Sequence, residues 1–187
     1  ENLLQVAAGG DELTTVEVLA DAVITIEGIE GVARVDQLKH HLDVQRMSKS
    51  KGNVVNPDEW VGKHGADTVR AYLMFGFDWQ KGGPWDSKGI QGVVRWVYDV
   101  WDIVTLHQPA ASEGDAAAER NLERRVHQTI KQVQDGLENF SFNSAIAGLM
   151  KLRSDLKDVV RENKVGATAW SEAIKSMLLL MAPFTPY

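Results

Sequence analysis

The chain has 187 residues, 44% of them hydrophobic and 25% charged, with a formal net charge of -6; this is a globular composition, long enough to bury a core as one large domain or two small ones. It contains no cysteine, which excludes a disulfide framework, a thiolate zinc site and a cysteine nucleophile, and fits a reducing compartment. No apolar run approaches the roughly 18 residues of a membrane span and nothing has the pattern of a signal peptide, so a soluble, cytoplasmic protein is expected.

The net acidity argues superficially against a nucleic-acid partner, but it is unevenly spread. Residues 1–38 carry eight Asp/Glu and one Arg, whereas residues 120–164 carry nine Lys/Arg against six Asp/Glu. A locally basic helical face is therefore available for phosphate contacts, although an excess of this size also describes an ordinary solvated face. Glu1 is not an initiator Met, and the sequence stops at Thr185-Pro186-Tyr187 directly after an apolar helical pattern. Both ends read as those of a piece cut from something longer.

Residues 14–26 are rich in β-branched side chains, with Val16/Val18 and Ala22/Ile24/Ile26 at period two, and Gly9-Gly10, Gly28 and Gly31 punctuate them. The pattern predicts two or three short strands ending near Val35. Its acid-rich exterior is a poor RNA-binding surface. His40 and His41 are adjacent, so on a strand they point apart and are poorly arranged as a metal pair; solvated or partner-bonded histidines are the expectation, and no metal site is assigned.

Arg46-Met47-Ser48-Lys49-Ser50-Lys51-Gly52-Asn53 has one large apolar residue and no hydrophobic period, which predicts a polar loop. Its ammonium groups, hydroxyls and Gly52 are the parts needed to hold a polyphosphate, and they are equally the parts of a solvated basic turn. Asn56-Pro57-Asp58-Glu59 is a helix start, with Asn at N-cap, Pro at N1 and carboxylates on the positive end of the dipole. That helix should end at Gly65.

A second helix is predicted over 66–75, with Val69, Tyr72 and Leu73 toward the core and Asp67 paired with Arg70 three residues on. The turn-rich stretch 76–89 holds Trp79 and Trp85, which either anchor the connection to the core or stack on unpaired bases beside Lys81 and Lys88. From Ser87 the period becomes helical. Ile90, Val93, Val97, Trp101 and Val104 form one stripe, and a linker over 109–118 breaks it. Leu122, Val126, Ile130, Val133 and Leu137 form a second stripe. Ile146, Leu149, Leu156 and Val160 form a third, capped by Ser141 or Asn143, and Trp170, Ile174, Met177, Leu178 and Met181 a fourth, starting near Thr168 and ending at Pro183.

The expected class is thus α+β, predominantly α: a strand-rich segment over residues 1–43, the loop and two helices over 44–87, and an antiparallel bundle of about four helices over 88–187. Periodicity predicts the bundle and is silent on RNA.

Arg46 to Ser50 resembles, at four of five positions, the Lys-Met-Ser-Lys-Ser signature of class I aminoacyl-tRNA synthetases, with Arg46 in place of the first lysine. The continuation Lys51-Gly52-Asn53-Val54-Val55-Asn56-Pro57-Asp58-Glu59, then Gly65-Ala66-Asp67-Thr68-Val69-Arg70, is similar to the leucyl family. Asn139-Phe140-Ser141-Phe142-Asn143-Ser144-Ala145-Ile146 and Leu180-Met181-Ala182-Pro183-Phe184-Thr185-Pro186 resemble the anticodon-binding helical domain shared by the leucyl, isoleucyl and valyl enzymes. The likeness covers about residues 44–187; residues 1–40 match no motif of the family and are compatible with an insertion before the loop.

The resemblance implies ATP-dependent attachment of leucine to its tRNA, with Mg2+ in the full-length enzyme and a monomeric protein. It implies Lys49 as the group that stabilises the developing pyrophosphate charge, with Arg46, Met47, Ser48, Ser50 and Lys51 supporting the loop or the phosphates. Residues 66–75 would belong to the stem-contact fold. The helical domain, which in leucyl members contacts the tRNA body, would offer phosphate contacts among Arg120, Arg124, Arg125, Lys131, Lys151, Arg153 and Lys157, with only a minority touching RNA. No His-x-Gly-His occurs in the chain; by resemblance that half of the ATP site, the leucine pocket and the editing domain lie elsewhere, so this piece alone should not aminoacylate. Isoleucyl or valyl specificity, or a non-catalytic RNA-binding or interaction module, are the alternatives.

Overall fold

The computed structural model describes residues 2–7, 13–18, 23–24, 33–34, 46–51, 54–79, 81–83, 85–107, 109 and 113–187. His40, His41 and Gly52 lie outside these residues. The chain divides into two compact units, Glu1–Asn56 and Pro57–Tyr187.

In the first unit β1 (Asn2–Ala7) and β2 (Leu13–Val18) pair antiparallel, in register from Asn2↔Val18 to Ala7↔Leu13. β3 (Val23–Ile24) and β4 (Ala33–Arg34) form a second, shorter antiparallel pair. β2 coincides with the Thr14-Thr15-Val16 run, where branching at Cβ favours extended backbone. A single 3-10 turn, Lys49–Lys51, lies in the signature loop.

The second unit is helical. α1 (Pro57–His64) opens on proline with Asp58 and Glu59 in its first turn and closes with Lys63 and His64 in its last, so charge complements the dipole at both ends. Gly65, with φ +83°, separates it from α2 (Ala66–Phe75) in a conformation costly to any residue with a Cβ. α3 (Ile90–Leu106) and α4 (Ala116–Glu138) follow. Ala116, Ala117 and Ala118, expected in the linker, are helical because the Asp115 carboxylate accepts hydrogen bonds from Ala117 N–H and Ala118 N–H at 3.1 and 2.8 Å. α5 (Phe142–Glu162) and α6 (Ala167–Met181) complete the unit. Ser141 occupies the α5 N-cap position without a side-chain cap bond.

α5 is the central element and packs on α2, α3, α4 and α6. Its Ala145, Ile146, Leu149, Leu152 and Leu156 are fully buried. α4 and α5 run antiparallel: Arg125 pairs with Asp155, while a Cβ on Gly136 would lie 2.8 Å from that of Ala145, so numbers fall along one helix as they rise along the other. The short turn between them enforces this hairpin. The predominantly helical reading and its four bundle helices therefore hold.

Several expected core positions are displaced. On α3 the buried set is Ile90, Val93, Trp96, Val100 and Ile103, and Trp101 is 68% exposed. α3 has apolar residues on two overlapping faces, and packing on α2 and α5 buries the face that carries Trp96 rather than the one that carries Trp101. Leu73 and Leu178 are likewise exposed, whereas Val69, Tyr72, Trp170, Met177 and Met181 are buried. Asp67 and Arg70 each bind the C-terminal segment rather than each other: Asp67 Oδ2 accepts from Tyr187 N–H at 2.8 Å, and Arg70 Nη2 donates to the Pro183 carbonyl at 3.3 Å.

Candidate nucleotide loop and nucleic-acid interface

In the signature loop Arg46, Met47, Lys49 and Ser50 are exposed and Ser48 is half-buried. The Ser48 and Ser50 hydroxyls lie 2.9 Å apart, one donating to the other, which folds the serines together around the 3-10 turn that carries Lys49. The donor set is cationic and hydroxylic. It suits phosphate oxygens, which accept charge-assisted hydrogen bonds. It offers Mg2+ no carboxylate, since positions 46–51 contain no Asp or Glu.

Downstream, an aromatic cluster fixes the 76–89 connection. Trp85 meets Trp60 and Tyr72 edge-on, each with centroids 5.1 Å apart. The Tyr72 hydroxyl donates to the Asp86 carbonyl at 2.8 Å and accepts from Asp86 N–H at 3.1 Å. Burial, chiefly, raises the Tyr72 pKa, and the nearby Asp86 charge adds to it, while the bond to the Asp86 backbone opposes the shift. Trp85 thus anchors the connection. Trp79 behaves differently, 53% exposed although its ring meets Phe142 at 5.1 Å.

The seven basic candidates fall into three groups. Arg125 pairs with Asp155 at 2.9 Å, Arg153 with Asp99 at 2.8 Å and Lys157 with the same Asp99 at 3.0 Å; these cations join helices. Lys131 holds Asp135 one turn along α4, and the bond and charge of Asp135 raise its pKa. Arg124 donates to Asn121, and Arg120 and Lys151 are exposed with no ion pair among the described residues. Sequence reasoning did not find Asp99 and Asp155 as partners, because pairing across 54 and 30 residues leaves no local spacing signal. It also passed over Phe140, whose exposure follows from the turn between α4 and α5.

Comparison with known proteins supplies the relationship. Residues 35–81 match the family described as tRNA synthetases class I (I, L, M and V), and residues 119–187 match the anticodon-binding domain of tRNA ligase. A leucine–tRNA ligase of Herpetosiphon aurantiacus is 45% identical over 78% of this chain and 18% of its own length, and one of Rubrobacter xylanophilus is 46% identical over 78% and 17%. Among solved structures, the ternary complex of an Agrobacterium radiobacter K84 LeuRS with tRNA and LeuAMS matches with a TM-score of 0.67 and 28% identity, covering 75% of this chain and 19% of that one. The chain therefore spans less than a fifth of the length of these relatives. The stretch matched by the class I synthetase model is thus followed along the chain by the stretch matched by the anticodon-binding model, and over 78% of its length the chain is similar to leucine–tRNA ligases.

Proposed function

We propose that the chain contributes the ATP-pyrophosphate loop and the tRNA-binding helices of a leucine–tRNA ligase. The observation that carries this reading is the union, in one chain, of a class I synthetase match over the loop and an anticodon-binding match over the bundle. The leucine carboxylate attacks the α-phosphorus of ATP, the bond from that phosphorus to the bridging oxygen breaks, and pyrophosphate leaves with the electrons. The tRNA ribose hydroxyl then takes the acyl group and releases AMP.

Positioning and charge compensation dominate such a reaction. Lys49 donates to the oxygens that gain charge as pyrophosphate departs; Arg46, Ser48, Ser50 and Lys51 hold the remaining phosphate oxygens, and Met47 supports the loop. Mg2+ bound in the full-length enzyme would neutralise phosphate charge; residues 46–51 offer it hydroxyls but no carboxylate. The leucine pocket and the rest of the ATP site lie in other segments, so the isolated chain is inactive. In functional terms residues 44–87 carry the loop and its stem-contact support, and residues 88–187 the RNA-binding bundle; residues 1–43 have no assigned task. The proposed setting is a cytoplasmic monomer.

In the full-length enzyme Lys49→Ala should slow ATP–pyrophosphate exchange by about a hundred to a thousandfold, the usual loss for one preorganised electrostatic donor. An unchanged rate removes Lys49 from the mechanism. Exchange supported by isoleucine or valine in place of leucine would overturn the leucyl assignment.

A further inference from the structure

α4 and α6 pack together, and their first turns are tied by one side chain. Glu119 Oε1 accepts the Gly166 N–H at the start of α6 at 3.0 Å and the Gly114 N–H of the linker before α4 at 2.8 Å. Along the two helices beyond this tie runs an open groove of about 750 Å³, lined from Ala116 to Ile130 on α4 and from Thr168 to Ser176 on α6. Its α4 wall is about 21 Å long at 1.5 Å per residue, the length of about four turns of α-helix. Val126, Ile130, Ala169 and Ala173 give it an aliphatic floor, and Ile130 and Ala169 are only partly buried there.

The rim is acidic. Glu113, Glu123 and Glu172 are exposed and make no ion pair among the described residues, and Glu119 adds a fourth carboxylate. Against these stand one guanidinium, Arg120, and the His127 imidazole. A field of that sign repels phosphate, and neither Arg124 nor Lys151 belongs to the lining. An aliphatic floor inside a carboxylate rim fits an amphipathic helix: apolar side chains at i, i+3, i+4 and i+7 meet the floor, and flanking Lys or Arg side chains lay their stems along it and place their charges at the rim.

Residues 1–38, with eight Asp/Glu and one Arg, have the wrong charge for such a helix. A second copy carries the same net charge of -6 and keeps the apolar faces of its Lys/Arg-rich helices, α4 and α5, in its own core. The relatives that the chain matches are longer, the chain spanning 18% and 17% of their length. The greater part of a protein of that size remains to supply the helix, at the high effective concentration of a tethered segment.

We propose that the α4–α6 groove is the docking site of a basic amphipathic helix supplied by the same polypeptide from outside residues 1–187. This rests on the reading of the chain as part of a longer ligase and adds the chemistry of one contact within it.

The test uses the full-length protein with benzoylphenylalanine in place of Thr168, an exposed residue of the groove wall. Irradiation should join position 168 to the same polypeptide, and mass mapping should place the crosslink outside residues 1–187, in a helix whose apolar stripe is flanked by Lys or Arg. Glu123→Lys/Glu172→Lys should cut the crosslink yield about tenfold by setting like charges against that helix, and changing the helix's own Lys and Arg residues to Glu should restore the yield in that background. A crosslink to a second copy, to another protein, to tRNA or to an acidic segment, no crosslink at all, or a yield indifferent to the reversed glutamates would overturn the site. Leucine-dependent ATP–pyrophosphate exchange by the same protein separates the two claims: exchange without the crosslink removes the docked helix and leaves the ligase reading, and the crosslink without exchange does the opposite.

Discussion

Asp99 receives Arg153 Nη1 on one oxygen and Lys157 Nζ on the other. Arg153 is 22% and Asp99 28% exposed at the side chain, so the pair is partly withdrawn from water and its hydrogen bonds count for more than those of a surface pair. Removing the carboxylate leaves a half-buried guanidinium without its acceptor. Asp99→Ala should therefore lower stability by about 1.5–3 kcal/mol, the range for a hydrogen bond to a charged group, read as a lower denaturant midpoint. Tyr72 is a second residue whose environment can be titrated. Its folded-state pKa is raised above the usual 10.0 by burial, so the fold favours the neutral phenol: that contribution is fully present below pH 10 and is lost as pH rises through the higher folded value. Stability should drop more steeply above pH 10 in the parent than in Tyr72→Phe, and parallel curves would show that the phenol does not contribute.

Among the elements, the α4–α5 hairpin has the least room. Gly136 faces Ala145, and an added methyl would meet the Ala145 Cβ at 2.8 Å and the Ser141 carbonyl oxygen at 3.0 Å. One of these atoms is backbone, so relief requires the two helices to part. Gly136→Ala should destabilise by about 1–3 kcal/mol through overpacking despite its better helix propensity, and a stabilised variant would show that the hairpin yields. What could be read from sequence, and what could not, separates at this scale. α4 has a single apolar stripe at helical spacing: Leu122, Val126 and Val133 are buried, and Ile130 and Leu137 are partly buried against the core. α3 carries apolar side chains most of the way round, and contact with α2 and α5 selects Trp96 over Trp101. Caps behave similarly. Asp115 is visible as a capping residue only once Ala116 is known to be helical, whereas Asn56-Pro57 announces a helix start by itself. The loop was legible because its residues carry a signature. The fate of the basic residues was not, because an ion pair across helices depends on which faces meet.

For the whole molecule, that division of the cations decides how the bundle meets a polyanion. Net charge is -6, so on the proposed function RNA binding would rely on local cations whose charge is not already neutralised by a neighbouring carboxylate. Arg120, Arg124 and Lys151 meet that condition among the described residues, and Arg125, Arg153 and Lys157 do not, being held to Asp155 and Asp99. Each phosphate contact releases counterions, so its loss reduces the dependence of binding on salt. On the proposed function, Arg120→Gln, Arg124→Gln and Lys151→Gln in the full-length enzyme should be tested for the slope of log affinity against log salt. Wherever one of them touches phosphate, the slope should shrink by about 1 with little change in melting temperature. Arg125→Gln and Arg153→Gln should do the reverse, lowering the melting temperature while leaving the slope in place, since the charge they remove was already compensated within the protein. A salt slope that responds to Arg125 and Arg153 and ignores all three of the others would mean that RNA displaces the interhelical pairs, and that the bundle rearranges as it binds.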